Sequence, residues 1–183
     1  MRYTAGDNFN RADGALGANW ATDPVWGAGV AVAGNQAGSA LYGGGAHFWR
    51  ANSFGADQYS QIRITGAIGD WVGVSVRGQV LPGQGYWLAL KADGAYLYSF
   101  VNGAFYQLAH DGSNWSTGDT LRLEARTIVT NTTRLTVYRN GSSLFTYDDA
   151  DHFIASGQPG IGLYATTAIS LDDWQGGTLT IGP

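Results

Sequence analysis

Asp7-Asn8-Phe9-Asn10-Arg11-Ala12-Asp13-Gly14-Ala15-Leu16-Gly17-Ala18-Asn19-Trp20 begins six residues after Met1. Its Asp-x-Phe start reads as a strand, and Asp13-Gly14 as the turn that follows, because Asp and Gly suit the backbone of tight turns. A second block at the far end answers it: Gly160-Ile161-Gly162-Leu163-Tyr164, then Ile169-Ser170-Leu171-Asp172-Asp173-Trp174. Both parts of that block are short apolar strands, the second interrupted by two carboxylates.

Between the two ends, short alternating runs bounded by Gly, Asp and Asn recur, as in a sandwich or barrel. Asp93-Gly94 separates strands over residues 86–91 and 96–101. Asn102-Gly103 leads into 104–109, and Asn140-Gly141 joins 134–139 to 142–147. All three dipeptides tolerate the positive φ of type I′ turns, which predicts hairpins. Period-2 alternation sorts the faces. Val72, Val74 and Val76 point inward from residues 70–78, leaving Trp71, Gly73, Ser75 and Arg77 on the other face. Ile62 and Ile64 oppose Arg63, and Leu121, Leu123 and Ala125 oppose Arg122, Glu124 and Arg126. Further strands are expected at residues 30–33, 39–42, 46–50, 135–138, 161–165 and 169–174. About a dozen half-buried strands suffice for two packed sheets. No segment has a helical period.

Composition agrees. The chain has 183 residues, one Glu (Glu124), one Lys (Lys91) and 28 Gly. Glu and Lys favour helices, whereas Asp and Gly favour turns, so the imbalance argues for an all-β chain. The length suits a single domain over residues 1–183. Charged residues make up only 13%, about half the usual share. A net charge of −4 gives no footprint for nucleic acid, and no basic amphipathic stretch or long apolar run suits a membrane. There is no Cys, hence no disulfide or thiolate chemistry. No apolar segment of a secretory signal follows Met1, which predicts delivery by a route without a Sec signal if the protein acts outside a cell.

The two terminal blocks, with Trp71-Val72-Gly73-Val74-Ser75-Val76-Arg77, Tyr86-Trp87-Leu88-Ala89-Leu90, Gly118-Asp119-Thr120-Leu121-Arg122-Leu123-Glu124 and Leu135-Thr136-Val137-Tyr138-Arg139-Asn140-Gly141 in order between them, resemble the concanavalin A-like lectin and glucanase superfamily, which includes laminin G-like modules. The likeness covers nearly the whole chain and lies in order and spacing. It implies a two-sheet antiparallel jelly-roll sandwich with first and last strands adjacent. It extends to domains of phage tail and capsid accessory proteins.

Shared fold does not transfer function, so the chemistry is read from residues. The glucanase relatives use a Glu-x-Asp-x-x-Glu strand whose two carboxylates act as nucleophile and acid. A chain with a single Glu cannot contain it. Glu124, between Arg122 and Arg126, reads as an ion-pair partner. Asp148, Asp149 and Asp151 read as turn and solvent-facing residues, and His47, His110 and His152 as surface or edge residues without zinc spacing. The expectation is therefore no enzyme and no required cofactor.

Two constellations stand out. Asp172 lies inside an apolar strand, where a carboxylate is costly without a partner. The resemblance implies a structural Ca²⁺ held by Asp7 and Asp172 with backbone carbonyls; hydrogen bonds to the backbone or pairing with Arg11 is the alternative. The second constellation is the outer face of two neighbouring strands, carrying Trp71, Ser75 and Arg77 beside Trp87, Ala89 and Lys91. Sugar rings offer C–H faces to aromatic planes and hydroxyls to a guanidinium, so Trp71, Arg77 and Trp87 form a candidate glycan platform. Trp20, Trp26, Trp49, Trp115 and Trp174 are assigned to the core or its ends. The expected role is a non-catalytic binding or structural module: a phage virion accessory protein touching host glycans or other virion proteins, as a candidate homo-oligomer. A free-standing carbohydrate-binding module or lectin is the alternative, and a glycoside hydrolase or lyase with an Asp site the third reading.

Overall fold

A computed structural model describes residues 4–27, 29–39, 43–165 and 170–180, and among these every regular element is a strand. In chain order they are β1 (Thr4–Asp7), β2 (Gly14–Ala15), β3 (Trp20–Thr22), β4 (Val30–Ala33), β5 (Gln36–Ser39), β6 (Gly43–Trp49), β7 (Gln58–Ile64) and β8 (Trp71–Gln79). Then come β9 (Gln84–Lys91), β10 (Gly94–Val101), β11 (Ala104–Asp111), β12 (Thr120–Val129), β13 (Thr132–Arg139), β14 (Ser142–Asp149), β15 (Gln158–Ala165) and β16 (Ser170–Thr178). The strand expected over residues 39–42 falls mostly on 40–42, outside the described residues, as does Ile169.

The strands form two antiparallel sheets. One runs β14-β13-β12-β7-β16-β5-β4-β2, with β1 also on β16; the other runs β11-β10-β9-β8-β15-β6-β3. First and last strands are hydrogen-bonded neighbours, with Thr4 opposite Gly177 and Asp7 opposite Trp174. Asp7 thus ends a strand instead of starting one. Its Oδ1 accepts the amide of Phe9 at 2.9 Å, and Phe9, at φ 53°, turns a fully buried ring into the core.

The core follows the alternation. Val72, Val74 and Val76 of one sheet face Ile62, Ile64, Leu121, Leu123 and Ala125 of the other, all essentially without solvent contact. Each fully buried aliphatic side chain of this size contributes about 1.5–3 kcal/mol. Trp20, Trp49 and Trp174 close one end, with ring centroids 4.7–5.3 Å apart.

Asn102-Gly103 and Asn140-Gly141 adopt the positive φ expected of type I′ turns, and Gly34-Asn35 makes a further hairpin of this kind between β4 and β5. Asp93-Gly94 departs from the expectation. Gly94 already pairs with Lys91, so Ala92 and Asp93 form the loop, and neither has positive φ.

One histidine also differs from expectation. His47 is 5% exposed, with Nδ1 3.3 Å from Thr22 Oγ1, and burial lowers its pKa to about 4. An unfolded His titrates near 6.5. Between these values the unfolded chain holds a proton that the folded chain refuses, so this contribution to stability is full above about pH 6.5 and lost as pH falls toward 4. His47→Gln should therefore reduce the difference between urea midpoints measured at pH 7.5 and pH 4.5. Parallel losses in both proteins would disprove this role for His47.

Candidate functional site

The outer face of the seven-stranded sheet carries the site. Ser75 of β8 lies opposite Trp87 of β9, Tyr98 of β10 lies on the other side of Trp87, and Tyr164 of β15 lies opposite Trp71. Residues two apart on one strand share a face, so these registers bring Trp71, Trp87, Tyr98 and Tyr164 together. With Trp26 and Phe105 they line a hollow of about 260 Å³. The centroids of Trp71 and Trp87 are 6.4 Å apart and those of Trp87 and Tyr98 6.0 Å. A Cβ on Gly162 would lie 3.1 Å from both Trp26 Cη2 and Trp87 Nε1.

The two tryptophans play different parts. Trp71 is half-buried and presents part of its ring, whereas Trp87 is 5% exposed and forms the floor. Two buried polar groups there, Trp87 Nε1 and Ser75 Oγ, make no hydrogen bond within the protein. Beside Trp71 the character becomes polar: Lys91 Nζ lies 5.1 Å from its ring centroid, and Tyr96 packs on it at 4.8 Å. Tyr96 also stacks on His110 at 4.1 Å and donates its hydroxyl to Asp93, which lowers the pKa of that exposed carboxyl.

Arg77 does not belong to this face. Its φ is 53°, and the β8–β9 register shifts between Val76 and Gln79. Such a bulge re-aims a side chain. The guanidinium enters the space between the sheets, with no solvent exposure. It donates to Thr133 Oγ1 (2.7 Å), Ile154 O (2.6 Å), Ala56 O (2.9 Å) and Thr127 Oγ1 (2.9 Å). Parity fails here because the bulge inserts a residue into the count.

Trp26, assigned to the core or its ends, instead forms a wall of the hollow, 4.4 Å from Trp87 and 5.0 Å from Phe105. No local pattern marks it, since it lies in the loop between β3 and β4. Tyr98 and Tyr164 were within reach of the parity rule once the strand order was known. Phe105, two residues after Gly103, faces Phe100 across that hairpin.

Asp7 and Asp172, read above as a cation pair, each have an arginine partner. Asp7 accepts from Arg11 Nη1 (2.6 Å), Arg11 Nη2 (3.0 Å) and Trp20 Nε1 (2.8 Å). Burial opposes its ionisation, but these donors and the Phe9 amide prevail and hold its pKa below the ordinary carboxyl value. Asp172 pairs with Arg63 at 3.2 Å and accepts the Asp173 amide at 2.8 Å. Each carboxylate thus meets an arginine, and among the described residues no group of three or more His, Asp or Glu could hold a metal. The pairing of Asp7 with Arg11 is the alternative raised above.

Glu124 and Asp149 are engaged within the protein. Glu124, 9% exposed, pairs with Arg122 and Arg126 on the outer face of the other sheet. Asp149 is not solvent-facing: it is 1% exposed and accepts the Tyr86 hydroxyl at 2.8 Å. A larger depression of about 520 Å³ over Gly6, Asp7, Asn8 and Asp173 offers carboxylates already opposed by arginines. The aromatic hollow is the better ligand site, being an apolar concavity with a few polar groups at its floor and rim.

No protein-family model matches the chain, and no curated protein matches it in sequence. Solved structures do match in fold. The carbohydrate-binding module CBM66 from Bacillus subtilis superposes with a TM-score of 0.61 and 18% identity, over 85% of this chain and 91% of that one. A β-1,3-1,4-glucanase (lichenase) from a mouse hindgut metagenome gives 0.62 and 10%, over 96% and 98%. The exoplasmic/lumenal domain of VIP36, bound to Ca²⁺ and Man2, gives 0.59 and 10%, over 98% and 89%. The chain has the concanavalin A-like jelly-roll fold.

Proposed function

We propose that the protein binds carbohydrate without transforming it, and that the aromatic hollow is the binding site. The observation that carries this reading is the convergence of Trp26, Trp71, Trp87, Tyr98, Phe105 and Tyr164 on one concavity. Aromatic planes of this kind pack against the C–H faces of sugar rings, while the rim groups Lys91 and Asp93 can exchange hydrogen bonds with hydroxyls. A carbohydrate-binding module and a lectin domain among the fold neighbours support the same reading.

Glycoside hydrolysis by the usual route needs two carboxyl groups about 5–9 Å apart across the scissile bond. None of the six residues lining the hollow carries one, so the reading is of a binding module and not an enzyme. A place in a phage virion has no observation of its own behind it.

A glycan-array screen tests the proposal. Wild-type protein should bind a defined set of glycans and release no product from them. Trp71→Ala should stay folded, because that ring is half-buried, and should bind about thirtyfold more weakly, a loss of about 2 kcal/mol as for other tryptophan anchors. Equal binding by the two proteins would remove the hollow from consideration. Silence of the wild-type protein across the array would end the carbohydrate reading.

A further inference from the structure

We infer that the hollow receives the terminal residue of a glycan chain and not an internal segment, an inference that rests on the carbohydrate reading above. The first ground is the wall on the β6 side. Asp23 is fully buried; its amide donates to Ala46 O of β6 at 2.9 Å, and its carbonyl accepts from Gly27 N at 2.9 Å. Its Oδ1 accepts the amides of Val25 (2.7 Å) and Trp26 (3.1 Å). The loop is therefore pinned to the strand it crosses, and its backbone lies directly on the sheet: a Cβ on Gly45 would stand 2.4 Å from Gly29 N.

This anchorage sets the Trp26 indole over β6 and β15. Trp26 Nε1 is 2.9 Å from where a Cβ on Gly44 would sit, and Cη2 is 3.1 Å from the corresponding point on Gly162. A chain lying across the strands from β11 toward β3 meets this ring at β15. The way through is closed.

The second ground is size. At about 260 Å³ the hollow is smaller than the roughly 300 Å³ at which sites for drug-sized ligands begin, a size that suits one sugar ring. Across from Trp26 the rim is open. Trp71 and Tyr98 stand there, both only partly buried, and a chain whose end ring is seated can leave over them.

Calorimetric titration with ladders of gluco-, xylo-, manno-, galacto- and fructo-oligosaccharides from one to six residues, and with the matching polysaccharides, tests this. In the ladder that binds, affinity should level off by the disaccharide, changing less than threefold to the hexasaccharide. The number of protein molecules bound per polysaccharide chain should not change with chain length. Folded Trp26→Gly protein should instead gain fivefold or more in affinity along the same ladder. A wild-type affinity that climbs tenfold or more from disaccharide to hexasaccharide, with occupancy proportional to chain length, would overturn end recognition and leave carbohydrate binding standing. A folded Trp26→Gly protein with unchanged length dependence would overturn the role of the wall. Failure of every ladder to bind would take down the carbohydrate reading, and this inference with it.

Discussion

Arg77→Ala is expected to lower the unfolding free energy by about 3–5 kcal/mol, the range for removing one member of a buried charged network. The side chain has no solvent exposure and ties β8 in one sheet to β12, β13 and two connections of the other. Its removal leaves the carbonyls of Ala56 and Ile154 and the hydroxyls of Thr127 and Thr133 without their donor, and an unmatched buried group costs about 1–3 kcal/mol. Burial pulls the guanidinium below its ordinary pKa, with Tyr86 and Asp57 opposing. It still carries its charge at neutral pH, since free arginine titrates so high.

The backbone at φ 53° is strained for any non-glycine residue, so Arg77→Ala keeps the strain already present in the wild type and its loss reports the side chain. Arg77→Gly also relieves that strain, so it should lose less stability than Arg77→Ala. Arg77→Lys should recover only part of the stability, having charge without the planar fork. Urea denaturation of the three variants measures these differences. A loss below about 1 kcal/mol in the alanine variant would contradict the network's importance. Variants that fold should bind glycan as the wild type does, in contrast to the expectation from strand parity.

Gly73→Ala should be comparably damaging, at about 3 kcal/mol or more, toward the upper end of overpacking effects. Gly73 lies in the middle of β8, opposite Ala89, and its added Cβ would fall 1.7 Å from Leu88 O and 2.8 Å from Leu88 C. The obstacle is backbone, so no rotamer change relieves it. The strands must part, and Trp87 sits next to the displaced peptide. Loss of glycan binding should accompany a fall in thermal midpoint of about 6 °C or more for a chain of this size. Gly112→Ala is the control, since nothing lies within 4 Å of its added Cβ. Equal midpoints for the two variants would refute the close approach.

Much of the sandwich was legible because its signals are local. A two-residue Asn-Gly turn settles its own hairpin, and alternation along β8, β7 and β12 states which face each residue takes without reference to a partner strand. The same rule placed Trp71 and Trp87 on one surface. It misplaced Arg77 because parity holds only while the ladder is unbroken, and the bulge at Val76–Gln79 is invisible in an alternating run. The buried state of His47 and Asp149 was likewise hidden, since each depends on which strand or loop crosses above it.

Strand content, hairpin positions, the two-sheet architecture and the pairing of Trp71 with Trp87 were determined by the sequence alone, through turn chemistry and period-2 hydrophobicity acting over a few residues. The inward turn of Arg77, the Arg11–Asp7 pair and the seating of Trp26 over Gly44 and Gly162 were decided by the tertiary structure. In Arg77 and Trp26 the deciding contacts join residues up to more than a hundred positions apart, such as Trp26 with Gly162. Asp7 engages nearby Arg11 and Trp20, but its oxygens are claimed only because the chain folds back to set both donors around it. The physical reason is common to all three: a polar or aromatic group settles where its partners arrive, and those partners assemble only when the sheets close.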